Sequence, residues 1–344
     1  MLKCKSPVYS NEHNEPRSRE DSTPGRRPVE MSVPEQSPVK AAQGPLVSII
    51  MLTFDQLDCT KTCIESIERF TPPIYEIIFV DNASRDGTPD YLWQVTQKLP
   101  RARLVSNRQN HGFAKGNNQG ICLARGKYVL ILNNDTVVTP GWLEGMISVL
   151  DRYPRTGLVG PTSNMVAGAQ LVPDVPYLDL AGLLDFASRR RELLKGRTRV
   201  VPTLIGFCLL ARSQVIEKIG SLDEIYRTGN FEDRDYCQRA DLCGFEMRIA
   251  QDVFVHHEGH KSFKSKGEID LWLLSNWDVF KKKWKVAQET SYGMNFHIDR
   301  GSVADIPVKL DLPDLRKTHT AFFGGLLWKE NEPGFEPSNA GGPS

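Results

Sequence analysis

Apolar residues in this chain fall first into short unbroken runs. Val47-Ser-Ile-Ile-Met-Leu-Thr53, Glu76 to Val80, Ala102 to Val105 and Tyr128 to Leu132 each span four to seven residues. Runs of that length and character predict strands buried on both faces. Between them the period lengthens. Cys63, Ile64, Ile67 and Phe70 recur at helical spacing, and Tyr91 to Leu99 and Ala114 to Ala124 also read as helices. Thr71-Pro72-Pro73 and Gly126 punctuate the pattern. Strands alternating with helices predict parallel pairing and an α/β, doubly wound sheet.

Further along, Trp142 to Tyr153 reads as a helix, Gly157 to Gly160 as a short strand and Leu204 to Ala211 as a strong apolar strand. Ser213 is placed to cap a helix over Gln214 to Ile219. Phe231 to Cys237 opens another helix, closed near Gly244. Glu246 to Ile249 and Val253 to Val255 read as two short strands, and Asp270 to Val286 as a helix. The segment Ser163 to Val201 is less regular and holds a basic run, Ser188 to Arg199. No internal repeat is seen, and beyond Ser291 the Pro/Gly-rich sequence predicts no element.

Composition narrows the class. The 344 residues are 40% hydrophobic and carry a formal net charge of +1, which gives no case for a nucleic-acid partner. No apolar run approaches the ~18 residues needed to span a bilayer. Met1 to Gly44 is rich in Pro, Ser, Glu and Arg, has no signal-peptide core, and reads as disordered. Seven scattered cysteines without a CxxC pair read as free thiols in a reducing compartment rather than a zinc site. The expected division is a disordered segment 1–45, one domain 46–290 with halves 46–143 and 144–290, and a tail 291–344. The expected location is cytoplasmic, with peripheral contact at the inner face of a membrane also open.

The chemistry sits where strands end. The run Tyr128 to Leu132 stops in Asn133-Asn134-Asp135-Thr136, and Thr139-Pro140-Gly141 then turns the chain. A carboxylate at the carboxyl end of a buried parallel strand stands where open α/β sheets bind ligands. Asp135 can hold a divalent cation that bridges substrate phosphates, or belong to a simple Asn/Asp turn. Asp81 follows Val80 directly and can accept hydrogen bonds from a base or ribose, or form an Asx turn toward Ser84. Asn110-His-Gly112-Phe-Ala114-Lys-Gly116-Asn117-Asn118 brings small residues to a helix start, which suits phosphate or a flexible loop. Glu232 and Asp233 are either acids favoured by a helix dipole or a general base.

Taken in order, these segments resemble family 2 glycosyltransferases of the GT-A fold, of the bacterial rhamnosyltransferase and O-antigen type. The resemblance rests on EIIFVDNASRDGT from Glu76, NRQNHGFAKGNN from Asn107 and LNNDTVVTPGWL from Leu132. It continues through GFCLLAR from Gly206, IGSLDE from Ile219, FEDRDYC from Phe231 and VHHEGHKSF from Val255. It covers roughly Pro45 to Lys285.

The resemblance implies a nucleotide-sugar donor (UDP-, dTDP- or GDP-linked), a divalent cation (Mn²⁺ or Mg²⁺), and a glycan, lipid-linked or protein acceptor. Carried over by position, Asp81 contacts the base, with Thr53, Asp55, Asn82, Asn110, Gly112 and Asn117 also lining the donor site. Asn133, Asn134 and Asp135 occupy the DXD position, with Asn133 in place of the first Asp. Asp135 and His257 are then the metal ligands, and His256 the neighbour most easily mistaken for one. The Glu232-Asp233 pair matches the ED motif, with Asp233 the expected catalytic base.

With no membrane-spanning run and no QxxRW signature after Gln238, the implied enzyme is non-processive, adding one sugar in bacterial surface polysaccharide or glycan assembly, and attack by the acceptor on the face opposite the leaving group makes it inverting. Two other classes stay open. A sugar-phosphate nucleotidyltransferase needs a basic or glycine-rich loop after the first strand, where Thr53 to Asp58 is acidic and lacks glycine. A non-catalytic nucleotide- or glycan-binding module would bind donor without turnover. An NAD oxidoreductase lacks its GxGxxG. The run Arg189 to Arg199 suggests an anionic acceptor or a solvated loop, and Phe280 to Lys285, with Trp284 among lysines, suggests contact with a membrane surface.

Overall fold

The computed structural model describes residues 46–227, 229–259, 266–292, 296–314 and 320–323. The disorder expected of residues 1–45 lies outside them, as do His260 and residues 324–344. The first half alternates as its pattern predicts: β1 (Val47–Thr53), α1 (Leu57–Phe70), β2 (Tyr75–Asp81), α2 (Thr88–Lys98), β3 (Ala102–Asn107), α3 (Phe113–Leu123), β4 (Tyr128–Asn133), β5 (Thr136–Val137) and α4 (Trp142–Arg152). There follow β6 (Thr156–Thr162), α5 (Leu180–Leu193), β7 (Thr198–Val201), β8 (Cys208–Arg212), α6 (Ser213–Ile219) and α7 (Glu232–Leu242). The described chain closes with β9 (Glu246–Phe254), β10 (His256–His257), α8 (Lys266–Lys283) and β11 (Thr320–Phe323).

Among the described residues the main sheet has nine strands, in the order β11-β3-β2-β1-β4-β8-β6-β9-β7. The strands β3, β2, β1 and β4 are mutually parallel, as are β6 and β9, while β8, β7 and β11 run against their neighbours. The sheet is therefore mostly parallel, and it has helices on both faces. Successive residues of β1 show why. Ile49 joins Ile64, Ile67, Trp142 and Met146 on one face. Ile50 joins Ala114, Ile121 and Tyr236 on the other. The glycines of α3 allow its close approach: a Cβ at Gly116 or Gly120 would lie 2.4 Å from Leu52 or Ile50. Gly116 therefore serves packing rather than phosphate.

Several elements differ from expectation, each for a physical reason. The irregular segment contains α5, capped by the Asp179 carboxylate accepting from the Gly182 N–H at 2.8 Å. Only Leu183 and Ala187 of α5 are buried, too few to write a helical stripe into the sequence. The two short strands after Gly244 are one continuous β9. Ser213 begins α6 without capping it; Arg212 holds the N-cap position. The run Leu204 to Ala211 is strand only from Cys208, because the Ile205 and Gly206 amides turn to Gln170 and Asp233 instead of a neighbouring strand.

The segment beyond residue 290 packs against the body. Leu310 donates its N–H to the Ile219 carbonyl and accepts from Ser221 N–H, and Val303 joins an aromatic cluster of Tyr226, Phe231, Trp277, Phe280 and Trp284. The strand β11 pairs antiparallel with β3. At the centre of this region the fully buried Asp235 and Arg239 pair at 2.8 Å. Asp235 also accepts from Trp284 Nε1 and Lys283, while Arg239 donates to the carbonyls of Ile219 and Ser221. Phe280, Trp284 and Lys281 thus face inward, which removes the membrane-contact reading of Phe280 to Lys285. Arg239→Ala leaves a buried carboxylate without its main partner, so a loss of ~3–5 kcal/mol of stability is expected. Denaturant unfolding measures it, and a loss below about 1 kcal/mol would show that Lys283, Trp284 and Tyr226 together satisfy Asp235.

Candidate active site

The carboxyl ends of β1, β2 and β4 form one edge, where Thr53 pairs opposite Asp81 and Leu52 opposite Asn133. Asp81 is buried, accepting from Thr53 Oγ1 at 3.2 Å and from the Ser84 N–H at 3.3 Å. Burial pushes its pKa up, against the lowering effect of the Ser84 and Thr53 hydrogen bonds. Asp55 staples the two loops together: its N–H donates to Ser84 Oγ at 2.8 Å, and its carboxylate accepts from Arg85 N–H at 2.7 Å. Thr53, Asp55 and Asp81 therefore form one acceptor-rich slot.

Asn82 and Asn110 serve that slot as braces. Asn82 Nδ2 donates to Asn110 Oδ1 and to the Gly112 carbonyl, both at 3.1 Å, while its Oδ1 accepts from Asn107. Asn110 Oδ1 also accepts from the Gly112 N–H, so the side-chain oxygens expected to meet a ligand are spent on holding the loop. Asn117 donates to the Phe113 carbonyl, and among the described residues its buried Oδ1 has no partner. Asn134 turns away from the edge and donates to Thr60 Oγ1 on α1.

Asp135 and His257 are 122 residues apart in sequence, and a two-stranded ladder joins them. His257 of β10 pairs opposite Thr136 of β5, and the Glu258 N–H donates to the Asp135 carbonyl at 2.9 Å. His257 Nε2 then lies 3.2 Å from the Asp135 carboxylate. Its Nδ1 is 2.7 Å from the Met165 carbonyl, which can only accept. Nδ1 therefore carries a proton, and the hydrogen bond between Nε2 and Asp135 needs a second proton, on Nε2.

Burial works against ionisation of both groups, but their mutual hydrogen bond and attraction prevail. They hold Asp135 below and His257 above their usual values. Asn133 Nδ2 stands 3.5 Å from Nε2. His256, alternating to the other side, bonds Tyr177 at 2.7 Å and Glu258 at 3.3 Å.

Asp233 reaches the same place through three backbone residues. Its carboxylate accepts from Gly206 N–H at 2.9 Å and from Arg234 N–H at 2.7 Å. The next residue, Phe207, accepts the Asn133 N–H on its carbonyl and stacks its ring on His257 with centroids 5.0 Å apart. Burial raises the pKa of Asp233 above the usual carboxylate range, despite its two backbone donors. Glu232 beside it is pushed well up by burial and then by Asp233, and among the described residues its Oε2 has no partner. The preceding Asn230 and Phe231 both hold positive φ, at 75° and 76°. Asn276 of α8 secures this turn by donating to the carbonyls of Tyr226, Gly229 and Asn230.

Four contributors escape sequence reasoning. Asn164 holds the His257 backbone through both its N–H and its carbonyl. Met165 and Gly206 act through main-chain atoms, and Phe207 through stacking; only the motif position of Gly206 hinted at any of them. The basic run disperses. Arg190 donates to Thr162, Arg191 to the Pro140 carbonyl, and Arg189 pairs with Asp185. Loss of the Asp81 carboxylate in Asp81→Ala should weaken nucleotide binding about ten-fold or more, the usual effect of losing a hydrogen bond to a charged group. Calorimetric titration tests this, and an unchanged dissociation constant would remove Asp81 from the donor site.

Comparison with known proteins points the same way. The glycosyl transferase family 2 model matches residues 48–220. An uncharacterized protein of Sinorhizobium fredii, y4gI, is 25% identical over 273 residues, 74% of this chain, and the chain spans 30% of that relative's length. The N-acetylglucosaminyl-diphospho-decaprenol L-rhamnosyltransferase of Mycobacterium tuberculosis is 23% identical over 242 residues, 63% of this chain and 78% of its own. In fold, the chain is similar to GalNAc-T7, crystallised with UDP, GalNAc and Mn²⁺, at a TM-score of 0.55 and 15% identity over 70% of this chain and 49% of that one. With strand order, edge placement and family model in agreement, this chain belongs to glycosyl transferase family 2 and has its GT-A fold.

Proposed function

We propose that the protein is an inverting, metal-dependent, non-processive glycosyltransferase that moves one sugar from a nucleotide-sugar donor to an acceptor hydroxyl. The acceptor belongs to glycan or lipid-linked assembly of the bacterial surface-polysaccharide type. The observation that carries this reading is the Asp135–His257 pair, 3.2 Å apart at the end of β4.

The donor set fits a divalent cation. One carboxylate and one imidazole nitrogen, which would give up its proton as the cation binds, suit Mn²⁺, and Mg²⁺ less well. Among the described residues no third His, Cys, Asp or Glu joins them, which leaves positions for diphosphate oxygens. When bound, such a cation neutralises charge on the departing nucleoside diphosphate.

The chain's own groups do the rest. Thr53, Asp55 and Asp81 accept hydrogen bonds from the base and ribose. Phe207 fixes the His257 ring, and the Met165 carbonyl fixes its tautomer. The Gly206 and Arg234 N–H groups orient the Asp233 carboxylate, and burial makes it a stronger base than an exposed carboxylate. Asp233 removes the acceptor hydroxyl proton as that oxygen attacks the anomeric carbon, on the face opposite the leaving group. Attack from that face inverts the configuration. The experiment is a screen of UDP-, dTDP- and GDP-sugars for Mn²⁺-stimulated donor hydrolysis. Metal-dependent release of one nucleoside diphosphate is expected. Donor binding without release would leave a non-catalytic module, and release of inorganic pyrophosphate a nucleotidyltransferase.

A further inference from the structure

The half-buried arginines of the described body are matched to acceptors with one exception. Arg101 donates to the Tyr75 hydroxyl, though its buried Nε has no partner among the described residues; Arg103 donates to Glu76 and the Leu123 carbonyl, Arg190 to Thr162, Arg212 to the Thr156 carbonyl, and Arg248 to Glu246 and Thr156. Arg234 stands one residue from Asp233 in the first turn of α7, and its guanidinium has no hydrogen bond or ion pair among the described residues. It lies over the ring of Phe296, 4.5 Å from the centroid, and 5.7 Å from that of Phe280. Tyr292, 44% exposed, borders the same aromatic cluster against Phe231 and Trp277.

Stacking holds the planar guanidinium by its face and leaves its edge donors available, the arrangement that receives a planar or tetrahedral oxyanion. Asp233 attracts the Arg234 guanidinium, but no ion pair joins them, and the carboxylate oxygens already accept backbone N–H groups. In the outlying basic run Arg190 and Arg191 are engaged and Arg189 is paired with Asp185, so its first three arginines are not free for an anion.

We propose that the Arg234 guanidinium binds an oxyanion, phosphate or carboxylate, carried by the acceptor beside the hydroxyl that Asp233 deprotonates. The proposal rests on the assignment of Asp233 as the base. It identifies the acceptor as an anionic sugar or sugar phosphate, held by a stacked arginine next to the base.

The test titrates inorganic phosphate, D-glucuronate and D-glucose by calorimetry into the full chain, at low salt and without divalent metal. At least one anion should bind the wild type and glucose should not. The Arg234→Gln variant should weaken anion binding about ten-fold or more, the range for losing a charge-assisted hydrogen bond. Arg234→Lys should recover part of it, since it keeps the charge and loses the fork. Arg189→Gln and Asp135→Ala should bind as the wild type does. Preference for phosphate or for glucuronate identifies which oxyanion the acceptor carries. Three results would overturn the proposal: no anion binding by the wild type, equal binding by Arg234→Gln, or loss in Asp135→Ala instead, which would put the anion in the donor site. Asp233→Asn separates the two readings. Retained anion binding with normal turnover refutes the base, whereas lost turnover with no anion effect in Arg234→Gln refutes only the anion site.

Discussion

Asp233→Asn is expected to transfer sugar two to four powers of ten more slowly than the wild type, about 10²–10⁴-fold being the usual cost of losing a general base. The substitution is nearly isosteric, and the amide oxygen can still accept from Gly206 N–H, so fold and donor affinity should change little. Two further readouts come from the raised pKa of Asp233. Wild-type transfer should climb with pH as this carboxyl ionises, at a pH above the ordinary carboxylate range, and the variant should lack that limb. The sign for stability is the reverse. A carboxyl with a raised folded pKa contributes stability in acid that is lost as pH rises from its unfolded to its folded value. At neutral pH the charge is a burden on the fold, so Asp233→Asn should unfold at an equal or higher temperature than the wild type. Glu232→Gln is the control. Near-normal turnover in Asp233→Asn, or a larger loss in Glu232→Gln, would move the base to the neighbouring carboxylate.

Asp135→Ala should abolish stimulation by Mn²⁺ and reduce transfer to the level seen with chelator, leaving the body folded. The turn that carries Asp135 is fixed by backbone and neighbours rather than by its carboxylate: the Asp135 carbonyl accepts from Glu258, and Asn134 is anchored on Thr60. The substitution therefore removes a ligand without removing the scaffold. Wild-type turnover of the variant in chelator would defeat the metal assignment outright. Metal-stimulated turnover surviving at a raised Mn²⁺ requirement would mean that His257 and substrate oxygens suffice.

The acidic strand tips were legible because buried parallel strands write unbroken apolar runs, and the residues just after such a run lie on the ligand-binding edge. Asp81 and Asp135 could be placed on that ground alone. His257 could not: nothing local distinguishes it from His256, and only the alternation of β10 against β5 turns one toward Asp135 and the other toward Tyr177. The resemblance to the family supplied the choice. Asn82, Asn110 and Asn134 looked like ligand contacts because amides after strands serve equally well as braces, and sequence does not say where an amide points. Main-chain contributors such as the Met165 carbonyl and the Gly206 N–H carry no residue-type signal at all. Trp284 among lysines resembled a membrane-facing patch because the buried acid it serves, Asp235, is 49 residues away.

The return of Leu310 across Ile219 and Ser221 also sets where this module ends. A Cβ at Gly220 would lie 1.7 Å from the Leu310 carbonyl oxygen, so the crossing fits only over a residue without a side chain. The family model stops at residue 220 itself, on the lower strand of that crossing. A chain cut near residue 290 would leave the Ser221 amide without its acceptor and uncover the aromatic cluster around Val303. For shortening, fusion or exchange with related enzymes, the smallest transferable unit therefore extends past Leu310, some ninety residues beyond the family match.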